Sequence, residues 1–166
     1  IQKTRPYIVC HVNAQGLRKR QIRQDVEAYM EEYKVDIMGI TETHINTGHV
    51  EGQSANRSFI WYFGLHPEKP EEPHGGVALV IRKTLRRAVE EVTPINKRMM
   101  RVILRGTIPW HIHVAYAPHA ERPDEEKEEF YALASEWVRV TPRKAINMWI
   151  GDFNVKLGMK RDEMET

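Results

Sequence analysis

Apolar positions along the chain fall into two patterns, a helical period in two stretches and short continuous runs elsewhere, and these mark out the elements. From Leu17 to Tyr33, residues Ile22, Val26, Tyr29, Met30 and Tyr33 fall on one face of a 3.6-residue period, which predicts an amphipathic helix. A second helix is predicted from Pro123 to Val140, with Phe130, Leu133, Ala134, Trp137 and Val138 forming a continuous stripe. Pro123 suits a first turn, where the amide hydrogen has no partner anyway. Asp124, Glu125 and Glu126 complement the positive end of the helix dipole, and Pro142 stops the helix.

Around these helices lie short runs rich in Ile and Val, bounded by Gly or Pro, which predict strands. They are Tyr7–Val12, Val35–Ile40, Ser58–Phe63, Val77–Ile81, Arg101–Arg105, His111–Ala115 and Ile146–Ile150. Arg87–Val92 is expected to return as the hairpin partner of Val77–Ile81. The stretch Leu65 to His74, with Pro67, Pro70 and Pro73, is expected to be a loop. Strands, one helix, more strands, then a helix and a strand describe a mixed α/β sandwich better than a regularly alternating doubly wound sheet.

Composition narrows the classes. The 166 residues suit a single domain, 1–166, with a sizeable core, and 41% apolar with 29% charged residues is ordinary for a soluble protein. No apolar run reaches the ~20 residues that span a bilayer, so no membrane role is expected. The first residue is Ile1, so the chain is expected to be an excised segment. The lone Cys10 lies in an apolar run and reads as a small hydrophobe in a reducing compartment. A net charge of +2 is too small to mark a nucleic-acid binder, so local clusters carry more information.

The polar residues just past the strand ends are the informative feature. Tyr7–Val12 runs into Asn13, Val35–Ile40 through Thr41 into Glu42, His111–Ala115 into Tyr116, and Ile146–Ile150 through Gly151 into Asp152 and Asn154. If these strands share a rim, their end groups converge on one cleft. Carboxylates are hard oxygen ligands suited to Mg²⁺, and Asn and Tyr hydrogen-bond a phosphate oxygen without adding charge. No Walker loop, nucleophilic Ser or Cys pattern, or zinc spacing is present. The set points to metal-assisted hydrolysis of a phosphate ester. Each residue also has a local reading: Asn13 as a cap, Glu42 as a loop carboxylate, Tyr116 as a core tyrosine, Asp152 as a turn residue.

These residues lie in Val12-Asn13-Ala14-Gln15-Gly16-Leu17, Ile40-Thr41-Glu42-Thr43-His44, Gly75-Gly76-Val77-Ala78-Leu79-Val80, Val114-Ala115-Tyr116-Ala117-Pro118, Glu128-Glu129-Phe130-Tyr131 and Ile150-Gly151-Asp152-Phe153-Asn154. In this order and spacing the chain resembles the endonuclease/exonuclease/phosphatase superfamily, which includes deoxyribonuclease I, and within it the endonuclease domains of RTE-like non-LTR retrotransposons. The resemblance covers about residues 7 to 158. It implies a deoxyribonuclease I-like sandwich of two sheets flanked by helices and a Mg²⁺-dependent endonuclease cutting DNA, with Mn²⁺ as a substitute. Glu42 is then the principal metal ligand with Asn13 at the metal or phosphate edge, Tyr116 and Asn154 hold the scissile phosphate, and Asp152 orients the attacking water or stabilises the pentacovalent transition state. An intracellular, nuclear setting and a following reverse transcriptase domain are also implied.

Departures qualify these expectations. Gln15 stands where some relatives carry an acidic metal ligand, and His119 where relatives often carry a small polar residue, so His119 is expected to contact substrate. No Ser-Asp-His element follows Asn154 before Thr166. The domain is therefore expected to lack its last strands, to associate through an unpaired sheet edge, and to be weakened by loss of acid–base help worth about 10²–10⁴-fold.

Arg18, Lys19, Arg20 and Arg23 crowd the start of the first helix, where cations oppose the dipole; they read either as a DNA-phosphate grip or as a solvated end. Arg82, Lys83, Arg86 and Arg87 are expected to mark a solvated turn, and Trp110, His111 and His113 to be packing or surface residues. Two alternatives stay open: a non-catalytic interaction module of the same fold, and a phosphoesterase acting on lipids or other small phosphoesters.

Overall fold

The structure, a computed structural model, describes residues 5–17, 19–45, 51–53, 58–64 and 76–155. The elements are β1 (Val9–Asn13), α1 (Arg20–Glu32), β2 (Ile37–Thr41), β3 (Glu51–Gln53), β4 (Phe59–Phe63), β5 (Val77–Arg82), β6 (Val89–Asn96), β7 (Met99–Leu104), β8 (Trp110–Tyr116), α2 (Asp124–Val140) and β9 (Ile146–Asp152). They form two sheets, ordered β1-β2-β5-β4-β3 and β6-β7-β8-β9. The chain is thus an α/β sandwich of two sheets flanked by helices, as expected. The expected loop 65–74 lies outside the described residues.

Period-two alternation explains the layers. In β5, Val77, Leu79 and Ile81 face the other sheet, while Ala78 and Val80 face α1. Ile60 and Tyr62 of β4 and Val102, Ile112 and Val114 of the second sheet fill the same seam. On the outer faces, Met30, Val26 and Ile22 of α1 cover Phe59, Trp61 and Met38, and Phe130, Leu133, Ala134 and Trp137 of α2 cover Met99, Ala115 and Trp149. Gly39 lets the sheets approach: a Cβ there would stand 3.1 Å from the Ile150 side chain.

Several expectations are corrected. Tyr29 and Tyr33 do not face the core; they are exposed and lie against each other, with ring centroids 4.5 Å apart. Their place on the packed face is taken by Glu27, whose carboxylate accepts a 2.8 Å bond from the buried Trp61 indole. Val138 is likewise exposed. The segment after β5 is not a hairpin: Lys83–Ala88 forms a 3₁₀ turn that carries the chain to the second sheet, where β6 pairs with β7. Arg82 is mostly buried rather than solvated, donating to Glu31 at 2.8 Å and to the Met30 carbonyl at 3.0 Å.

His111 and His113 are packing residues on the outer face of β8, as expected. His113 has no exposed surface, stacks on Trp149 at 4.2 Å, and has no hydrogen-bond partner at either ring nitrogen among the described residues. Burial, with Arg101 and His111 acting in the same direction, pushes it from 6.5 down to about 4. A histidine held neutral in the folded state stabilises fully above its unfolded pKa, and that stability is lost as pH falls from 6.5 towards 4. Up to about 3 kcal/mol should disappear across that window. His113→Phe should flatten the acid limb in urea titrations at stepped pH; an unchanged limb would contradict this.

Candidate active site

β1 runs parallel to β2, and β8 parallel to β9, and the two pairs end at the same rim, where Tyr116 at the end of β8 bonds to Glu42 after β2. In β1 the odd-numbered positions face the seam and the even-numbered Cys10 and Val12 face α1, which puts Asn13 at the mouth of the seam. Tyr116 follows Ile112 and Val114 in phase, and Asp152 follows Met148 and Ile150. The register pairs Tyr116 with Asp152 and Asn13 with Thr41.

Glu42 is out of phase with the seam-facing side of β2. Its backbone turns into the left-handed region, φ 53°, which breaks the alternation. Its carboxylate accepts a 2.8 Å bond from the Asn13 amide, whose own oxygen accepts from the Gln15 backbone at 3.2 Å. The turn is fixed from three sides: Gly16 N–H donates to the Glu42 carbonyl and Leu17 N–H to that of Thr43, both at 2.8 Å, and Thr43 N–H donates to Gly76 at 3.1 Å. Gly76 is required where it stands, since a Cβ would collide with the Thr43 hydroxyl.

On the second sheet, Asp152 accepts a 3.0 Å bond from the Asn154 backbone, and the Asn154 amide donates to the Ala117 carbonyl at 2.6 Å. Ala117 N–H returns a 2.8 Å bond to the Asp152 carbonyl. The loops after β8 and β9 are therefore tied into one unit. Gly151 makes the pairing possible: a Cβ there would collide with the Ala115 backbone.

Tyr116 is buried, and its hydroxyl lies 2.6 Å from His119 Nε2. Burial, hydrogen bonding to Glu42 and the negative charges of Glu42 and Asp152 all raise its pKa, with Arg98 opposing. The phenol stays protonated and acts as a neutral donor. Arg98 sits 5.2 Å from the ring centroid and is held by Glu126 at 2.6 Å.

The structure thus brings Asn13, Glu42, Tyr116, Asp152 and Asn154 to one rim, with exposed His119 at its mouth. Lys19 and Arg20 are exposed at the start of α1, which comes directly after the Gly16–Leu17 tether to Glu42; Arg18 lies outside the described residues. The α1 N-terminus has no side-chain cap and no acidic residue in its first turn. Three further residues escaped the sequence. His11 sits two positions before Asn13 on the seam side, 3.1 Å from the Thr41 hydroxyl; burial lowers its pKa while Asp152 opposes. His44 Nε2 is 3.8 Å from Glu42, and Arg98 backs Tyr116. Period-two phase with Asn13 was the one available signal, and it reached only His11.

A divalent cation suits the rim. No Lys or Arg forms an ion pair with Glu42 or Asp152 among the described residues, and the donor atoms are oxygens. No cluster of three or more His, Cys, Asp and Glu occurs there among the described residues, so no zinc-type cage is built at the rim from them.

The model of the endonuclease/exonuclease/phosphatase family matches residues 10–159, nearly the whole chain. The chain belongs to that family. Among solved structures it is similar to the endonuclease domain of TRAS1, a telomere-specific non-LTR retrotransposon, with TM-score 0.59 and 17% identity over 91% of this chain and 60% of that one. It is also similar to an AP endonuclease from Archaeoglobus fulgidus, with TM-score 0.59 and 19% identity over 89% and 56%. Zebrafish (D. rerio) TDP2 complexed with a single-strand DNA product gives TM-score 0.61 and 13% identity over 89% and 60%. These likenesses establish the deoxyribonuclease I-like fold. By sequence the chain is 32% identical to craniofacial development protein 2 of Bos taurus over 135 residues, 80% of this chain and 22% of that protein. It therefore spans about 22% of the length of that curated relative.

Proposed function

We propose that this chain carries a metal-dependent endonuclease site that hydrolyses DNA phosphodiester bonds, in the manner of target-site nicking by a non-LTR retrotransposon. The observation that carries the reading is the Asn13–Glu42 couple facing Tyr116 and Asp152 across the mouth of the seam. All four groups end strands that terminate at that rim. The proposed unit is residues 1–166 as one domain, acting in the nucleus, with a following reverse transcriptase domain and self-association through an unpaired edge as further parts of the proposal. Among the described residues β1 and β9 are edge strands, which gives self-association its structural basis.

Glu42 would hold Mg²⁺ or Mn²⁺, with the Asn13 amide fixing the carboxylate's orientation. The bound cation would supply Lewis-acid stabilisation of charge developing on the phosphate. Tyr116, kept protonated, donates to a phosphate oxygen. Asp152 is held by Asn154 N–H where its free oxygen can orient and deprotonate an attacking water. Asn154 serves the site chiefly by fixing the Ala117 carbonyl and the loop that carries His119, and retains one amide hydrogen for the phosphate.

Lys19, Arg20 and His119 would contact DNA, with Arg18 in the same cluster. Lys19 and Arg20 are exposed cations with no capping role and, among the described residues, no ion pair, which suits them to phosphates. Lys19→Glu with Arg20→Glu should lower the slope of log affinity against log salt by about 0.9 for each phosphate no longer neutralised. Fluorescence anisotropy on duplex DNA reads that slope, and an unchanged slope would remove these residues from the interface.

Incubating the chain with Mg²⁺ and either supercoiled plasmid or inositol polyphosphates tests the substrate class. Nicked circles that EDTA suppresses support the endonuclease reading. Phosphate release from the small substrate alone would favour a phosphoesterase. Neither product from a folded chain would favour an interaction module, a reading kept in view by a relative whose name denotes a developmental role.

A further inference from the structure

We propose that His119 is a positioning residue for Tyr116, holding the phenol's proton on the Glu42 side of the cleft through a hydrogen bond from its own imidazole Nε2–H. The inference rests on the phosphodiesterase reading of the site for its catalytic consequence, but its geometry does not. The phenol oxygen and Nε2 stand 2.6 Å apart with the rings edge to face, centroids 5.6 Å apart. Only one of the two groups donates the proton between them. The phenol also bonds to Glu42, whose carboxylate can only accept, so the phenol hydrogen goes to it. The imidazole must then be the donor, and the chain runs from His119 to Tyr116 to Glu42, which also receives the Asn13 amide.

The loop is built to hold this contact. The His119 carbonyl accepts from Arg122 N–H at 3.0 Å, and Lys127 reaches the Ala120 carbonyl at 3.1 Å. Glu126 gathers Arg122 at 2.7 Å and Arg98 at 2.6 Å, tying the start of α2 to the residue that backs the Tyr116 ring. Burial acts against the Glu126 carboxylate, but these two guanidiniums hold its pKa below the usual range. An exposed imidazole on an untethered loop would gain little from one hydrogen bond. Here the backbone has already been fixed, so the bond costs little entropy.

Two arms test the assignment. In nitrogen-15 NMR of the chain, His119 Nε2–H should give a slowly exchanging downfield proton that disappears in both His119→Ala and Tyr116→Phe while other imidazole signals persist. A protonated Nδ1 with bare Nε2, or no Tyr116-dependent signal, overturns the proposal whether or not the chain is active. In nicking assays, His119→Ala should lower kcat about 10-fold with KM nearly unchanged, and His119→Gln, which keeps a donor, should recover part of it. Tyr116→Phe should mask the His119→Ala effect in a double-mutant cycle. Additive losses, or a KM effect alone, would make His119 a plain substrate contact and leave the endonuclease reading standing. Loss of nicking dependence on both Tyr116 and Glu42 would instead sink that reading.

Discussion

Gly151→Ala should destabilise the chain by about 3–5 kcal/mol, the range reserved for substitutions that force a backbone apart. Gly151 lies opposite Ala115 in the parallel β8–β9 ladder, and a methyl group there would occupy the space of the Ala115 carbonyl oxygen. The neighbour is backbone of a paired strand, so no side chain can move aside. The ladder would have to open at its last rungs, and those rungs hold Tyr116 against Asp152. Urea denaturation monitored by circular dichroism measures the loss, and a midpoint equal to that of the unsubstituted chain would contradict this role for the glycine. Asp152→Ala, one residue on, should keep most of the stability, because among the described residues its carboxylate bonds locally, to Asn154 N–H.

Glu42→Ala should weaken Mn²⁺ binding at the rim by at least about 100-fold, beyond what loss of an outer-shell partner costs. Asn13→Ala should cost less, about 10–100-fold, because in the proposed site its amide serves the cation by orienting the Glu42 carboxylate, to which it donates at 2.8 Å. Water-proton relaxation in the presence of Mn²⁺ reads both without requiring turnover. Equal, small losses in the two variants would mean that the cation is held elsewhere. The left-handed backbone at Glu42 adds a contrast: Glu42→Gln keeps the shape of the turn and its Asn13 contact, yet should lose binding through the missing charge alone.

Much of this was legible in the sequence because helical period and short apolar runs report burial directly. The strands β5 and β8 and the α2 stripe through Trp137 could be read from the pattern, and so could the polar groups at four strand ends; which face of β5 meets the other sheet could not, since the run is apolar throughout. Pairing could not. Arg87–Val92 looked like the return strand of a hairpin, and nothing local reveals that Lys83–Ala88 crosses from one sheet to the other. Tyr29 and Tyr33 looked like core because they are apolar at helical spacing. The decision fell to Glu27, which is tolerated inside only because the Trp61 indole, 34 positions away, satisfies it.

The site shows the same division. Asn13, Tyr116 and Asp152 follow their strands in phase, whereas Glu42 reaches the cleft by breaking phase, which only its backbone conformation reveals. Arg98 reaches Tyr116 from 18 positions away, and the tie between Tyr116 and His119, though local, depends on the conformation of the loop after β8, which the residue pattern does not reveal.

The most direct measurement is nicking of supercoiled plasmid in Mg²⁺ by the chain, by Glu42→Ala and by Asp152→Ala, each checked for folding by circular dichroism. The expected result is nicked circles from the unsubstituted chain and a loss of about 10²–10⁴-fold in each variant, the scale of removing a catalytic acid–base or charge-stabilising group. Nicking that survives both substitutions, or folded chain that never nicks, would contradict the claim that the strand ends at this rim form a phosphodiesterase site.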